Sequence, residues 1–218
     1  MKTITTIAIG AVAGILVLAL PITRDEMHWR YAFSQNKAVD YKGYLTSWPT
    51  GRHSREAEIA YDEREWKNAS ATNTLGSYSV YEQTHSRGKH VDEARRLIEL
   101  SHWSSSTNKN SVVGYQQYLG NYAKGAFAEE ARLRIENLTW QQASSSNSIV
   151  SYNAYLSNYV NGRFAADARV QVEALAWKEA CNANTHLSYQ KYLSSFNNGR
   201  YAVHPRSACL DVAVKFHG

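Results

Sequence analysis

Apolar residues in the body of this chain fall on helical faces that come in pairs. After Asn110, residues Val112, Tyr115, Leu119 and Tyr122 occur at i, i+3, i+7 and i+10, one face of a helix, and Tyr118 widens it. A second helix is predicted through Ala131, Ile135 and Leu138, spaced i, i+4 and i+7. Trp140 lies about 200° around the axis from Leu138, with Leu133 one heptad before it. The second helix is therefore apolar on two sides, as expected of a helix held between its partner and the next pair. The stretch from Tyr122 to Phe127 is short, which makes successive helices antiparallel neighbours.

This pattern recurs. Trp stands at 29, 66, 103, 140 and 177, 37 residues apart each time. Asn follows seven residues later, at 36, 73, 110, 147 and 184. Tyr follows at 41, 78, 115, 152 and 189, and again at 44, 81, 118, 155 and 192. Gly follows at 51, 88, 125, 162 and 199. No position breaks the series, so the period is an architectural unit. Asn suits the N-cap of the helix that follows it, and Gly suits a positive-φ residue ending that helix. Thr23-Arg24-Asp25-Glu26 has the form of a capping box opening the helix that carries Trp29. The last repeat departs from the pattern, with Pro205 in the slot of Ala57, Ala94, Ala131 and Ala168, and Val214 where Trp is due. A terminal repeat lacks one neighbour, so departures there are expected.

The first residues differ in kind. Lys2 precedes an uncharged run from Ile4 to Ile22. A cleaved signal peptide shares the basic start and apolar middle but ends in small residues at its cut. Leu18-Ala19-Leu20-Pro21-Ile22 is a poor cleavage site, and no Cys follows to accept a lipid. The run is about as long as a bilayer core requires, so an uncleaved membrane anchor through residues 4–22 is favoured. Lys2 places the start inside and the remainder outside, in the periplasm or at the cell surface. Arg24 and Arg30 beyond the run weaken that signal and are offset by Asp25 and Glu26. Gly10 and Gly14 form a small-xxx-small pair suited to helix packing in lipid. The expected division is residues 1–24 as the hydrophobic segment and 25–218 as the repeat domain.

Trp66 to Ala69, Trp140 to Ala143 and Trp177 to Ala180 share the form Trp-x-x-Ala, followed by Tyr-x-x-Tyr and the turn with Gly. This resembles the tetratricopeptide-like repeats of bacterial envelope proteins, and is similar also to helical repeats appended to some bacterial caspase-like peptidases. The segment Tyr44-Leu45-Thr46-Ser47-Trp48-Pro49-Thr50-Gly51-Arg52-His53 matches most closely. Later repeats replace Pro49 by Ala123, Val160 and Asn197, and the unit is longer than the usual tetratricopeptide. The resemblance covers residues 25 to about 216 and implies a protein-binding scaffold without catalytic residues. The expected fold is all-α: a right-handed solenoid of about five 37-residue antiparallel helical hairpins, preceded by one hydrophobic N-terminal helix.

Composition changes this picture little. The net charge is +5, with Lys and Arg spread along the chain instead of clustered, which disfavours nucleic-acid binding. Tyr and Trp at repeat spacing belong to a core more readily than to a base-stacking platform. His53 and His90 occupy the slot of Phe127, Phe164 and Tyr201, and His85 that of Tyr122 and Tyr159, so these three read as packing residues. His28, His102, His186, His204 and His217 show no ligand spacing, and no metal, cofactor or small-molecule substrate is expected. Cys181 and His186 lie near a helix end with no oxyanion-forming Gly-rich turn beside them, so no enzyme is expected. Cys209 aligns with Ile98, Ile135 and Val172, a core slot where it can be a small buried hydrophobe. In an oxidising compartment it can instead pair with Cys181. Residues that vary between repeats on the first helix, Gln116, Gln117, Asn153, Gln190 and Lys191, are the expected lining of a partner-binding groove. The expected function is a membrane-anchored adaptor for protein partners. The alternative is a structural or accessory subunit that packs its N-terminal helix and the solenoid ends against copies of itself, as in a filament, or against a large membrane complex.

Overall fold

A computed structural model describes residues 23–202. The apolar run with Gly10 and Gly14 lies outside the described residues, as do Pro205, Cys209 and Val214. The chain is all-α, with ten helices and no strand among the described residues. They are α1 (Arg24–Gln35), α2 (Ala38–Ser47), α3 (Ser54–Thr72), α4 (Leu75–Thr84), α5 (Val91–Lys109), α6 (Val112–Asn121), α7 (Ala128–Ser146), α8 (Ile149–Asn158), α9 (Ala165–Ala183) and α10 (His186–Ser195). Helices of 19 residues alternate with helices of 10, except that α1 has only 12. The chain divides between Arg96 and Leu97 into two compact units. Consecutive helices pack on one another within each. None of the described helices is long and apolar enough to cross a membrane.

The invariant residues account for this alternation, though two do so differently from expectation. Asn does not cap the short helix. Asn36, Asn73, Asn110, Asn147 and Asn184 hold φ between 40° and 54° and end the long helix before it. Each donates its N–H to the carbonyl four residues back, as Asn147 does to Ala143. Asn suits this role because it tolerates the left-handed region that other side chains resist. Its Oδ1 then accepts the hydroxyl of the first repeat tyrosine, at 2.8 Å for Tyr78 and Asn73 and 3.0 Å for Tyr115 and Asn110. Capping falls to the next residue. Thr74, Ser111, Ser148 and Thr185 each accept an N–H from the first turn of the short helix. In three repeats a serine at the third helical position answers, and Ser77, Ser151 and Ser188 also donate back to Ala69, Ala143 and Ala180. At Thr23 only half of the expected box forms, because Glu26 is drawn to Arg30 and His53.

The recurring Gly is likewise not needed for a positive φ, since no glycine has one among the described residues. It is needed for space. A Cβ on Gly125 or Gly162 would lie 2.8 Å from the hydroxyl of Tyr118 or Tyr155, and one on Gly199 would lie 2.7 Å from Tyr192. That hydroxyl is the centre of a clamp repeated five times. Tyr44, Tyr81, Tyr118, Tyr155 and Tyr192 donate to Asp25, Asp62, Glu99, Glu136 and Glu173. The same carboxylates accept backbone N–H groups of Arg52, Lys89, Ala126, Arg163 and Arg200, just past the glycine. The tyrosine oxygen also accepts the next N–H, from His53, His90, Phe127, Phe164 or Tyr201. Each loop between a short helix and the next long one is thereby tied to the long helix before it.

All five tryptophans have like surroundings. Each meets the first tyrosine at a tilt and the second edge-on, and stacks on the aromatic residue after the glycine. The stacked partners are His53, His90, Phe127, Phe164 and Tyr201, at centroid distances of 4.9 to 5.4 Å. Ala57, Ala94, Ala131 and Ala168 are fully buried, where a larger side chain would find close-packed neighbours.

Candidate protein-binding surface

The same construction leaves grooves beside several of the long and short helix pairs. One, of about 850 Å³, runs along α8, α9 and α10. Val150, Leu156, Val172 and Phe196 form apolar parts of its lining, with Asn153, Glu179 and Lys191 supplying polar groups. A groove of about 340 Å³ between α3 and α4 involves Asn68, Ala69, Ser77 and Val80. Another of about 510 Å³ between α1 and α2 involves Tyr31, Asp40 and Gly43. In register these grooves share wall positions. Tyr31, Asn68 and Glu179 all follow their tryptophan by two residues, and Gly43, Val80 and Lys191 follow theirs by fourteen.

Gln116, Gln117, Asn153, Gln190 and Lys191 are all exposed on short helices. The structure brings Asn153 and Lys191 together in the α8–α10 groove. Gln117 holds the same register position as Lys191, and its side-chain oxygen accepts from Lys109 at 3.5 Å. Gln116 and Gln190 are not part of the groove linings described above. The long-helix wall, occupied by Tyr31, Asn68 and Glu179, was missed from the sequence. It varies between repeats as the short-helix positions do, so the same criterion applied to both helices would have found it.

Also missed were the five carboxylates of the clamp, although each stands four residues before its tryptophan. The first two are Asp and the last three Glu, so they escape a search for identical residues. Their chemistry serves the fold. Burial first, and then the carboxylate bond, push the phenols of Tyr44, Tyr118, Tyr155 and Tyr192 up to about 12. The Tyr44 hydroxyl and the Arg52 N–H hold Asp25 below the usual carboxylate range. These groups are fixed in one charge state near neutrality. Proton transfer is not what they are set for.

His53 and His90 take the packing role expected of them, stacked on Trp29 and Trp66 with Nε2 3.0 and 3.2 Å from Glu26 and Glu63. His85 stacks on Tyr81 as Tyr122 does on Tyr118. Burial pushes its pKa down, against the pull of Asp62 at 3.5 Å. No cluster of metal-ligating side chains occurs among the described residues. Cys181 packs beside Trp177 and Ala180 and is engaged in a disulfide, while Cys209 lies outside the described residues. No protein-family model and no curated protein matches the chain.

Proposed function

We propose that this chain is a non-catalytic scaffold, anchored in the cell envelope through residues 4–22, that binds partner proteins along its repeat grooves. In this reading the helices form five tetratricopeptide-like hairpins in a right-handed solenoid, with the repeat domain in the periplasm or at the cell surface. One observation carries it: the clamp and the aromatic stack recur in every repeat with the same kinds of group, while the groove walls change in chemistry. Tyr31, Asn68, Ser105, Gln142 and Glu179 share one position, and Gly43, Val80, Gln117, Ala154 and Lys191 share another. A constant frame with a changing rim is how repeat proteins present a surface for recognition. The apolar and polar mixture around Asn153 and Lys191 suits a peptide segment of another protein better than a compact metabolite.

A photo-crosslinking amino acid placed at Lys191 in the full chain, in its own membrane, tests this against the same group at exposed Asn182. The expected result is a discrete adduct with another protein at position 191 and none at 182. Adducts only between copies of the chain would favour a self-assembling structural subunit. No position-dependent adduct would refute both.

A further inference from the structure

The groove between α1 and α2 differs from its counterparts in the residues at its edge. Tyr31 is 61% exposed and Met27 is 50% exposed. Where Tyr31 stands, the other repeats carry Asn68, Ser105, Gln142 and Glu179. Where Met27 stands, α3 and α5 carry Arg64 and Ser101, and α7 and α9 carry Leu138 and Leu175. Those two leucines pack against the core cluster of the repeat before their own, which the first repeat lacks among the described residues. Met27 and Tyr31, one turn apart, are bare, and Val39 of α2 extends their face at 69% exposure. Apolar or aromatic residues at both of these α1 positions occur in the first repeat alone, and a bare face of this kind needs a cover.

Its position says which. Ile22, the last residue of the apolar run, is separated from α1 by Thr23 alone. Thr23 is extended and caps the helix by accepting the Glu26 N–H, so α1 begins afresh there and takes its direction from its packing on α2. Tyr31 lies roughly 10 Å along α1 from Arg24, a reach that lets a helix lying in the membrane surface bury one face. Tyr favours that layer because its ring is apolar and its hydroxyl is not. We propose that the face formed by Met27, Tyr31 and Val39 rests in the interfacial layer of the bilayer that the apolar run enters. The contact orients the first repeat on its anchor. Asp40 and His28 also line this groove, Asp40 from the first turn of α2, and in this arrangement their polar groups reach the headgroups.

This inference rests on the anchor reading, and one experiment separates them. The full chain is placed in lipid nanodiscs containing a phospholipid with a photoactivatable diazirine in its acyl chain, and adducts are mapped by mass spectrometry. The expected map has adducts within residues 4–22 and also on Met27, Tyr31 and Val39, several-fold above those on Val150 and Leu187. The latter two are as exposed as Val39, at 79% and 74%, but belong to later repeats. Adducts confined to residues 4–22, or equal yields on Val39, Val150 and Leu187, overturn the inference and leave the anchor standing. An absence of adducts within 4–22 removes both. In a Met27→Arg, Tyr31→Asn variant, built from residues the chain itself uses at 64 and 68, the Val39 adduct should fall while those of the run persist. A Val39 adduct unchanged in that variant, with its helical content intact by circular dichroism, also overturns the inference.

Discussion

Replacing Tyr155 by Phe tests whether the clamp holds the repeats together. The substitution removes one oxygen and leaves the ring to pack on Trp140 and Tyr159. That oxygen donates to Glu136 at 2.8 Å and accepts the Phe164 N–H at 3.2 Å. Glu136 keeps the Arg163 N–H but loses its hydroxyl partner while only 7% exposed. A bond to a charged acceptor contributes about 1.5–3 kcal/mol, and an orphaned buried N–H costs about 1–3 kcal/mol more, so a loss of about 3 kcal/mol is expected. Tyr152→Phe is the control. Its hydroxyl makes a 3.2 Å bond to neutral Asn147, and its removal should cost about 1 kcal/mol. Urea unfolding of both variants, followed by far-ultraviolet circular dichroism, measures the total. Native-state hydrogen exchange over α8 and α9 localises it, which matters because repeat arrays need not unfold in one step. Equal losses in the two variants, within about 0.5 kcal/mol, would show that the carboxylate clamp contributes no more than an ordinary hydrogen bond.

Other outcomes follow from the same geometry. Gly162→Ala should destabilise by about 1–3 kcal/mol through overpacking against Tyr155. Gly120→Ala, with open space around it in α6, should stabilise by about 0.5–1 kcal/mol; melting temperatures moving in the same direction for both would contradict the space argument. His85 has a lowered pKa in the folded state, so the stability it contributes is complete above its unfolded value and is lost as pH falls below about 6.5. Its ring faces Asp62, Tyr61 and Tyr81, with Glu65 nearby. Melting curves between pH 7.5 and 5 should separate the protein from a His85→Tyr variant only on the acid side. The repeat phenols work in the opposite sense: raised to about 12, those of Tyr118, Tyr155 and Tyr192 support the fold below about pH 10 and cease to do so toward 12. Absorbance at 295 nm should therefore show them ionising together with unfolding, whereas ionisation before loss of helix would contradict their burial. Labelling of unfolded, unreduced chain should find no reactive thiol if Cys181 and Cys209 pair, a link expected to contribute about 3 kcal/mol.

The period, the helical class and the alternation of helix partners were legible in the primary structure, because each repeat must hide apolar surface against its neighbours and does so with the same residues every time. Trp, both Tyr series and the aromatic position of His53 and Phe127 were all assignable to packing for that reason. The roles of Asn and Gly were not. Asn is a good N-cap and a good left-handed C-cap, and only the fold shows that the long helix runs up to it. Gly suits a positive φ or a close approach, and only the Tyr118 hydroxyl lying beside Gly125 decides between them. The five carboxylates were equally out of reach, since their partners stand 19 residues away along the chain. Spacing along the backbone reports what one helix face carries; which polar atoms meet across two helices and a loop is decided when those elements pack.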